Sequence, residues 1–224
     1  MKRGKKYRES LTKFGRDTVY GLEEGVGIVK SLAFAKFDET VDLSVKLNLK
    51  KSQSVRDTLV LPHQFRGEKK VLVFCKPEKE KEAQDAGASF VGADDLIDKV
   101  KGGWTEFDVA VATPDMMKDV GKLGMVLGRK GLMPNPKTGT VTFDLKGALA
   151  ELKKGRTEFR ADKTGVVHLA VGKVSMGAEL ISENIKTVVA EIKRKRPADA
   201  KGEFVRSLSI ASTMGPGVWV SVAD

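Results

Sequence analysis

The sequence has few of the residues that carry redox, metal or nucleophilic chemistry. It contains one cysteine, Cys75, and two histidines, His63 and His168, in 224 residues. A single cysteine cannot form an intrachain disulfide, which suits a reducing compartment. Neither histidine has a cysteine or the other histidine at ligand spacing, which argues against a zinc site. No nucleophile can be placed beside either histidine, and we expect no metal, no cofactor and no catalytic activity.

Long hydrophobic runs are also absent. No segment approaches the roughly 18 consecutive apolar residues that a membrane helix needs. The first ten residues, MKRGKKYRES, are charged and no apolar stretch follows them, so no signal peptide is visible. We therefore expect a cytoplasmic protein with no membrane partner. Cys75 ends the apolar run VLVFC, which predicts a small buried side chain.

The glycines of the common nucleotide-binding motifs are missing as well. GLMPNPKT at 131–138 resembles a phosphate-binding loop, but Pro136 stands where that motif needs a glycine before Lys137. Val71–Cys75 is followed by KPEKEKE, which has no glycine and is rich in glutamate. These departures disfavour the alternative of a nucleotide-binding enzyme that uses an α/β domain.

Positive charge is abundant. The formal net charge is +10 and the isoelectric point is about 9.6, a balance typical of nucleic-acid-binding proteins. The segment Gly121–Val141 has no acidic residue, five glycines, two prolines and four cations. We predict a shaped cationic loop there, with polyanions as its neighbours.

The middle of the chain alternates between predicted strands and helices, which indicates a parallel sheet with helices packed on it. Its predicted strands are Val71–Cys75, one that begins at Ser89–Val91, and Asp108–Thr113. Its predicted helices are Pro77–Ala86, Ala93–Val100, one opened by Pro114–Val120, and Leu145–Lys154.

The two flanks show a different pattern. Apolar residues alternate with polar ones from Val41 to Leu49, which predicts a strand with one buried face. We predict a hairpin over Thr157–Lys173 that turns at 162–165, and strands at Phe204–Ile210 and Val218–Val222. Leu180, Ile181, Ile185, Val188, Val189 and Ile192 recur at helical spacing, and residues 9–32 are typical of one or two further helices.

These patterns predict a mixed fold, α/β and α+β. Residues 1–67 and 158–224 would form a discontinuous α+β domain, and residues 68–157 an inserted α/β domain. The flanks carry 24 basic and 16 acidic residues, and the insert carries 16 and 14. Most of the excess positive charge therefore belongs to the discontinuous domain. Two chain crossings would join the domains, so a hinge is expected.

Three short segments leave alternatives open. Phe34–Thr40 combines a cation, two aromatic rings and a hydroxyl, as RNA recognition requires, or it is a helix exit with one phenylalanine in the core. Ser207–Pro216 ends in a tight turn that reads RNA by shape, or in an ordinary strand connection. Lys193–Arg196 is a phosphate patch, or a helix end whose cations complement the dipole.

Several longer motifs together resemble a known family. LGMVLGRKGLMPNPKTGTV at 123–141 closely resembles the signature of the bacterial large-subunit ribosomal protein L-one family. The similarity covers essentially the whole chain in order. It continues through KFDETVDL, LPHQFRG, DAGASFVGADDLIDKVKGGW, FDVAVATPDMM, EFRADKTGVVH and FVRSLSIASTMGPGV.

The resemblance implies a function that composition only suggests. Proteins of this family have a discontinuous α+β domain and an inserted Rossmann-like domain joined by a hinge. They are components of the large ribosomal subunit that bind large-subunit rRNA, form the mobile stalk and assist release of deacylated tRNA from the exit site. They also repress their own operon by binding its mRNA. The resemblance implies a protein that is monomeric when free. A regulator acting mainly off the ribosome would share these features.

The resemblance also implies which residues contact RNA. On the discontinuous domain these are Lys36, Phe37, Thr40, Asp162, Lys163, Thr164, His168, Ser212, Thr213, Met214, Gly215 and Pro216. Arg129, Lys130 and Lys137, within the predicted loop, would have a secondary RNA or hinge role.

Overall fold

The structure is a computed structural model that describes residues 4–50, 53, 55–67, 69–197 and 202–221. The chain divides into two units. The first comprises the residues up to Phe65 and those from Glu158 onward, and the second is Arg66–Thr157. Helices and strands occur in both, which confirms the predicted mixed fold class.

The strands and helices have the following bounds. The strands are β1 (Val19–Gly21), β2 (Thr40–Leu47), β3 (Arg56–Leu59), β4 (Val71–Phe74), β5 (Phe90–Gly92), β6 (Val109–Ala112), β7 (Thr157–Arg160), β8 (Val166–Lys173), β9 (Val205–Ser212) and β10 (Gly217–Ser221). The helices are α1 (Lys5–Leu11), α2 (Leu22–Leu32), α3 (Pro77–Asp85), α4 (Asp94–Lys101), α5 (Met117–Val120), α6 (Gly124–Lys130), α7 (Leu145–Lys153) and α8 (Ala178–Arg194).

The first unit is built on a five-stranded sheet in the order β1-β10-β9-β2-β8. Neighbouring strands are antiparallel except for β1 and β10, which are parallel. Val41, Leu43, Val45 and Leu47 of β2 are buried in the core that also holds the apolar residues of α2 and α8. This alternation confirms the predicted half-buried strand, and it leaves the other face of the sheet without those helices.

The predicted hairpin over Thr157–Lys173 is wrong in its pairing. Hydrogen bonds do turn the chain at Asp162–Gly165, but β7 pairs with β3 and β8 pairs with β2. Across the turn, the described links are an isolated bridge between Ala161 and Val167 and hydrogen bonds between Asp162 and Val166. A period of two shows which face of a strand is buried, whereas the strand's partner depends on the rest of the sheet.

The remaining predictions for the flanks hold in part. The long amphipathic helix is α8, although Leu180 is 39% exposed and lies outside the core. β9 and β10 occupy the two predicted C-terminal strands, and Val222 lies outside the described residues. Residues 9–32 contain the end of α1 and all of α2, but also the three-residue strand β1, which is too short to show a periodic pattern.

The second unit contains the predicted parallel sheet, which has three strands in the order β5-β4-β6. Leu72 and Phe74 of β4 pack on one side with α4 and α6, and Val71 and Val73 pack on the other with α3 and α7. Cys75 is buried on that second side, and burial raises the pKa of its thiol, with Glu80 adding to the effect.

The prediction of a loop over Gly121–Val141 is wrong for much of its length. Gly121–Leu123 is a 3₁₀ turn, α6 follows, and Pro136–Thr138 forms a second 3₁₀ turn. Leu123 and Leu127 are four residues apart and fully buried. Their spacing is that of one apolar face of a helix, and burial of this face in the core stabilises the helical conformation. Because the segment contains five glycines, the helical spacing of these apolar residues was not recognised in the sequence.

Two glycines of this segment provide a matched test of the helix. Gly128 lies within α6, and an added Cβ there would meet no atom within 4 Å. Gly131 ends α6 with a φ of +70°, a conformation that alanine avoids. We expect Gly128→Ala to raise the free energy of unfolding by about 0.5–1 kcal/mol and Gly131→Ala to lower it by about 1 kcal/mol, measured by denaturant titration. Destabilisation by Gly128→Ala would contradict the helix.

Candidate nucleic-acid interface

The start of β2 and the turn between β9 and β10 are joined by hydrogen bonds. The Thr213 hydroxyl oxygen accepts a hydrogen bond from the backbone N–H of Thr40 at 2.9 Å, and the hydroxyl donates to the Thr40 carbonyl at 3.3 Å. The structure therefore brings together two segments that sequence resemblance named separately, around residues 36–40 and 212–216. An added Cβ at Gly215 would overlap the Ser212 hydroxyl, so a larger residue at this turn would displace that buried side chain.

Glu39 organises this meeting point, and sequence reasoning missed it. Only 1% of the surface of Glu39 is exposed to solvent. One carboxylate oxygen accepts hydrogen bonds from the N–H groups of Phe34 at 3.0 Å and Ala35 at 2.7 Å, and the other accepts from the N–H of Met214 at 3.0 Å. A single carboxylate thus fixes both segments. In the sequence, nothing distinguishes Glu39 from its neighbour Asp38.

The same contacts determine the charge of Glu39. Burial by itself would raise the pKa of this carboxyl, but the N–H donors of Met214, Ala35 and Phe34 outweigh it and hold the pKa below its ordinary value of 4.5. The buried Ser212 hydroxyl lies beside the carboxylate without a hydrogen bond of normal geometry, yet close enough to add to this lowering. Glu39 is therefore ionised at neutral pH.

The side chains next to Glu39 point outward. Phe37 is 56% exposed, Met214 is 51% exposed, and Lys36 and Thr213 are exposed as well. Among the described residues the core of this unit contains neither Phe34 nor Phe37, so the alternative of a helix exit with one phenylalanine in the core is wrong. Two large apolar side chains beside a lysine form an amphipathic patch at this end of the sheet.

The residues around 162–164 form a second, separate group. The Asp162 carboxylate accepts hydrogen bonds from the Thr164 N–H at 2.8 Å, the Thr164 hydroxyl at 2.7 Å and the Val166 N–H at 2.8 Å. These donors, with Val166 first, lower the pKa of Asp162. Asp162 and Thr164 thus build the turn, which leaves Lys163 exposed at its tip.

The two groups lie at opposite ends of β2. Lys46 of β2 pairs with Val166 and donates a hydrogen bond to the Thr164 carbonyl. Thr40, six residues earlier on the same strand, is therefore about 20 Å away along the strand. His168 lies between the groups on β8, opposite Ser44, and its Nδ1 is 3.0 Å from the Ser44 hydroxyl.

A face of the sheet rich in hydroxyl groups connects the two groups. Ser44 lies opposite Ser209 of β9, and Lys46 lies opposite Ser207. These side chains alternate with the buried residues of β2 and β9, so they face away from the core. We call this the open face. Together with its two ends, it is a largely polar strip with lysines at both ends, and Asp42, opposite Ala170 and Ala211, is an acidic residue within it.

The three predicted secondary residues lie in the second unit. Arg129 and Lys130 are exposed in the last turn of α6, and Lys137 is exposed in the following 3₁₀ turn. Lys130 donates a hydrogen bond to the Thr105 hydroxyl. The backbone N–H of Lys137 donates a hydrogen bond to the Asn135 side chain at 2.9 Å, so this N–H group has a partner within its own turn.

The described part of the chain contains no group of three or more histidine, cysteine, aspartate or glutamate residues placed to hold a metal ion. His63 instead pairs with Glu183 at 2.5 Å. Within the same residues, no helix is long and apolar enough to cross a membrane.

Comparisons with known proteins identify the family of the chain. Residues 29–216 match the sequence model of the ribosomal protein L1p/L10e family. The chain is 66% identical over 220 residues to the large ribosomal subunit protein uL1 of Treponema denticola, covering 98% of this chain and 97% of the relative. Its identity to the uL1 proteins of Treponema pallidum and Borreliella burgdorferi is 60% and 56%, with the same coverage.

The family and relatives are named as ribosomal proteins and not as enzymes, which rules against the nucleotide-binding alternative. The match includes both ends of β2, the turn between β9 and β10, and the whole second unit. The chain belongs to the ribosomal protein L1p/L10e family.

Proposed function

We propose that the protein is a structural component of the large ribosomal subunit that binds large-subunit rRNA through its discontinuous unit. The observation that carries this proposal is the pair of links, through Glu39 and Thr213, that joins the segment containing exposed Phe37 to the turn containing exposed Met214. A preorganised surface loses little conformational freedom when a partner binds.

The chemistry of the patch suits structured RNA. An aromatic ring and a thioether pack against a sugar or a base, and Lys36 reaches a phosphate. The hydroxyl groups of the open face suit the 2′-hydroxyls of a wide minor groove. Lys163, at the far end of β2, supplies a second phosphate contact about 20 Å away. Docking along the strip therefore uses shape and charge more than base sequence.

We extend the proposal to the protein's wider activity. With its discontinuous unit docked on rRNA, the protein forms the mobile stalk, and the second unit meets deacylated tRNA at the exit site through cations such as Arg129, Lys130 and Lys137. The same RNA-binding surface binds the mRNA of the protein's own operon and represses its translation. The free protein is a cytoplasmic monomer.

Thr213 allows a direct test of the RNA-binding surface. Thr213→Ala removes both hydrogen bonds to Thr40, whereas Thr213→Ser keeps the hydroxyl and serves as the matched control. We expect Thr213→Ala to weaken binding to an rRNA fragment from the stalk region by about tenfold, and Thr213→Ser to bind as the wild type does within about threefold. The measurement is fluorescence anisotropy at fixed salt. Equal affinity for all three proteins would contradict the proposal.

A second experiment separates a resident stalk protein from a regulator that acts off the ribosome. Sucrose-gradient sedimentation of a cell extract should place the protein with the large subunits at low salt. Recovery mainly at the top of the gradient would favour the free regulator.

A further inference from the structure

We propose that a cavity between α1 and Met214 receives an unstacked base of the bound RNA, while lysines of α1 hold the adjoining phosphate. This inference rests on the proposed RNA-binding function and adds α1, which the motifs do not mark. The cavity, called here the α1 cavity, has a volume of about 550 Å³ and is lined by Gly4, Lys5, Lys6, Tyr7, Phe34 and Met214. Sites for small ring-bearing ligands have volumes of roughly 300–1,000 Å³.

Glu39 holds two walls of the α1 cavity in place. Its two carboxylate oxygens accept hydrogen bonds from the N–H groups of Phe34 and Met214, which both line the cavity. Neither side chain belongs to the hydrophobic core that the described residues of this unit form. The walls are thus fixed by the backbone, and their apolar surfaces are left available to a ligand.

The lining has the composition of a nucleotide site. Tyr7, Phe34 and Met214 provide flat or polarizable apolar surfaces, and base stacking on such side chains tolerates any base. Lys5 and Lys6 add positive charge to the lining, and no acidic residue is among the described lining residues. A base attached to a phosphate combines a flat apolar face with an anion, as this lining requires. A purely apolar peptide would leave both lysines without a counterpart.

The position of the cavity supports RNA as its occupant. Met214 belongs both to this lining and to the exposed patch with Phe37, so the cavity is continuous with the proposed interface. RNA recognition commonly uses bases displaced from a helix, because a paired A-form helix hides its base edges in a narrow groove. An RNA docked on Phe37 and Met214 therefore brings its neighbouring nucleotides to α1.

The experiment uses the full chain and the rRNA stalk fragment. The double variant Lys5→Gln and Lys6→Gln should weaken binding and reduce the slope of log affinity against log salt by about 2. The matched control, Lys13→Gln with Lys186→Gln, removes the same charge from exposed lysines outside the cavity and should change that slope by less than about 1. Phe34→Ala should weaken binding by about tenfold.

Abasic substitution tests the base itself. When each unpaired nucleotide of the fragment is replaced in turn by an abasic one, at least one replacement should weaken binding to the wild type by about tenfold and have no further effect on Phe34→Ala. If Phe34→Ala does not fold, the lysine variants and the abasic series with the wild type still test whether the α1 cavity binds a base.

The outcomes separate the two proposals. If the wild type does not bind the fragment, the proposed function fails and this inference fails with it. If the wild type binds, but the Lys5 and Lys6 variant matches its control and no abasic position weakens binding, only the α1 cavity is overturned. Binding of an apolar peptide there without any effect on RNA affinity would also overturn it.

Discussion

Glu39→Ala is expected to lower the free energy of unfolding by about 3 kcal/mol and the affinity for the rRNA fragment by at least about tenfold. The substitution leaves the N–H groups of Phe34, Ala35 and Met214 without their acceptor, and an unsatisfied buried donor costs about 1–3 kcal/mol. Affinity falls because Phe37 and Met214 are no longer held in one arrangement before RNA arrives. Denaturant titration and fluorescence anisotropy measure the two effects.

Glu39→Gln is the matched control for charge. Glutamine keeps one carbonyl oxygen for Phe34 and Ala35 but presents an NH₂ group to the N–H of Met214, where two donors then meet. We expect a stability between those of the wild type and Glu39→Ala, with an RNA affinity closer to that of Glu39→Ala. Wild-type stability and affinity in Glu39→Gln would show that the carboxylate does not organise the surface.

The advantage of the wild type over Glu39→Gln should depend on pH. The pKa of Glu39 in the folded protein is below its ordinary value of 4.5, so the unfolded chain binds the proton more tightly. The stabilisation is therefore complete at neutral pH, begins to decline as the pH falls below about 4.5, and is lost as the pH passes through the lowered folded-state pKa. Asp162 titrates in the same direction, but it is present in both proteins and cancels from the difference.

The fold class could be predicted because buried strands leave local patterns. In β2 every second residue is apolar from Val41 to Leu47, whereas β4 is apolar throughout because both its faces are covered. Pairing partners leave no such local pattern. β7 and β8 are neighbours in sequence, yet they pair with β3 and β2, and these choices depend on chain segments about 100 residues away.

The candidate site also depends on contacts between distant parts of the chain, which leave no local pattern in the sequence. Phe37 and Met214 were named because the resemblance to a known family marks the segments that contain them. Glu39 was not, since its role depends on the amide of Met214, which is 175 residues distant along the chain. The resemblance also grouped Asp162 with the other contacts, whereas in the structure its carboxylate accepts the hydrogen bonds that form the turn.

Affinity for the rRNA fragment is expected to fall by about three orders of magnitude between about 50 and 200 mM salt. Each lysine or arginine that neutralises a phosphate releases counterions from the RNA, and six or more such contacts produce a loss of this size. The excess of basic over acidic residues lies mostly in the flanking parts of the chain, which form the proposed docking unit. Log affinity should therefore fall linearly with log salt, and a slope shallower than about −2 would contradict docking on phosphates.

Single charge removals locate those contacts on the molecule. Lys36→Gln and Lys163→Gln change exposed lysines at opposite ends of β2, and each should reduce the salt slope by about 1. Arg129→Gln and Lys137→Gln, in the second unit, are the controls and should leave the slope for this fragment unchanged. If the controls reduce the slope and the β2 variants do not, the rRNA contacts belong to the second unit. Because the two β2 positions are about 20 Å apart, a reduction by both would also require the RNA to extend along the open face.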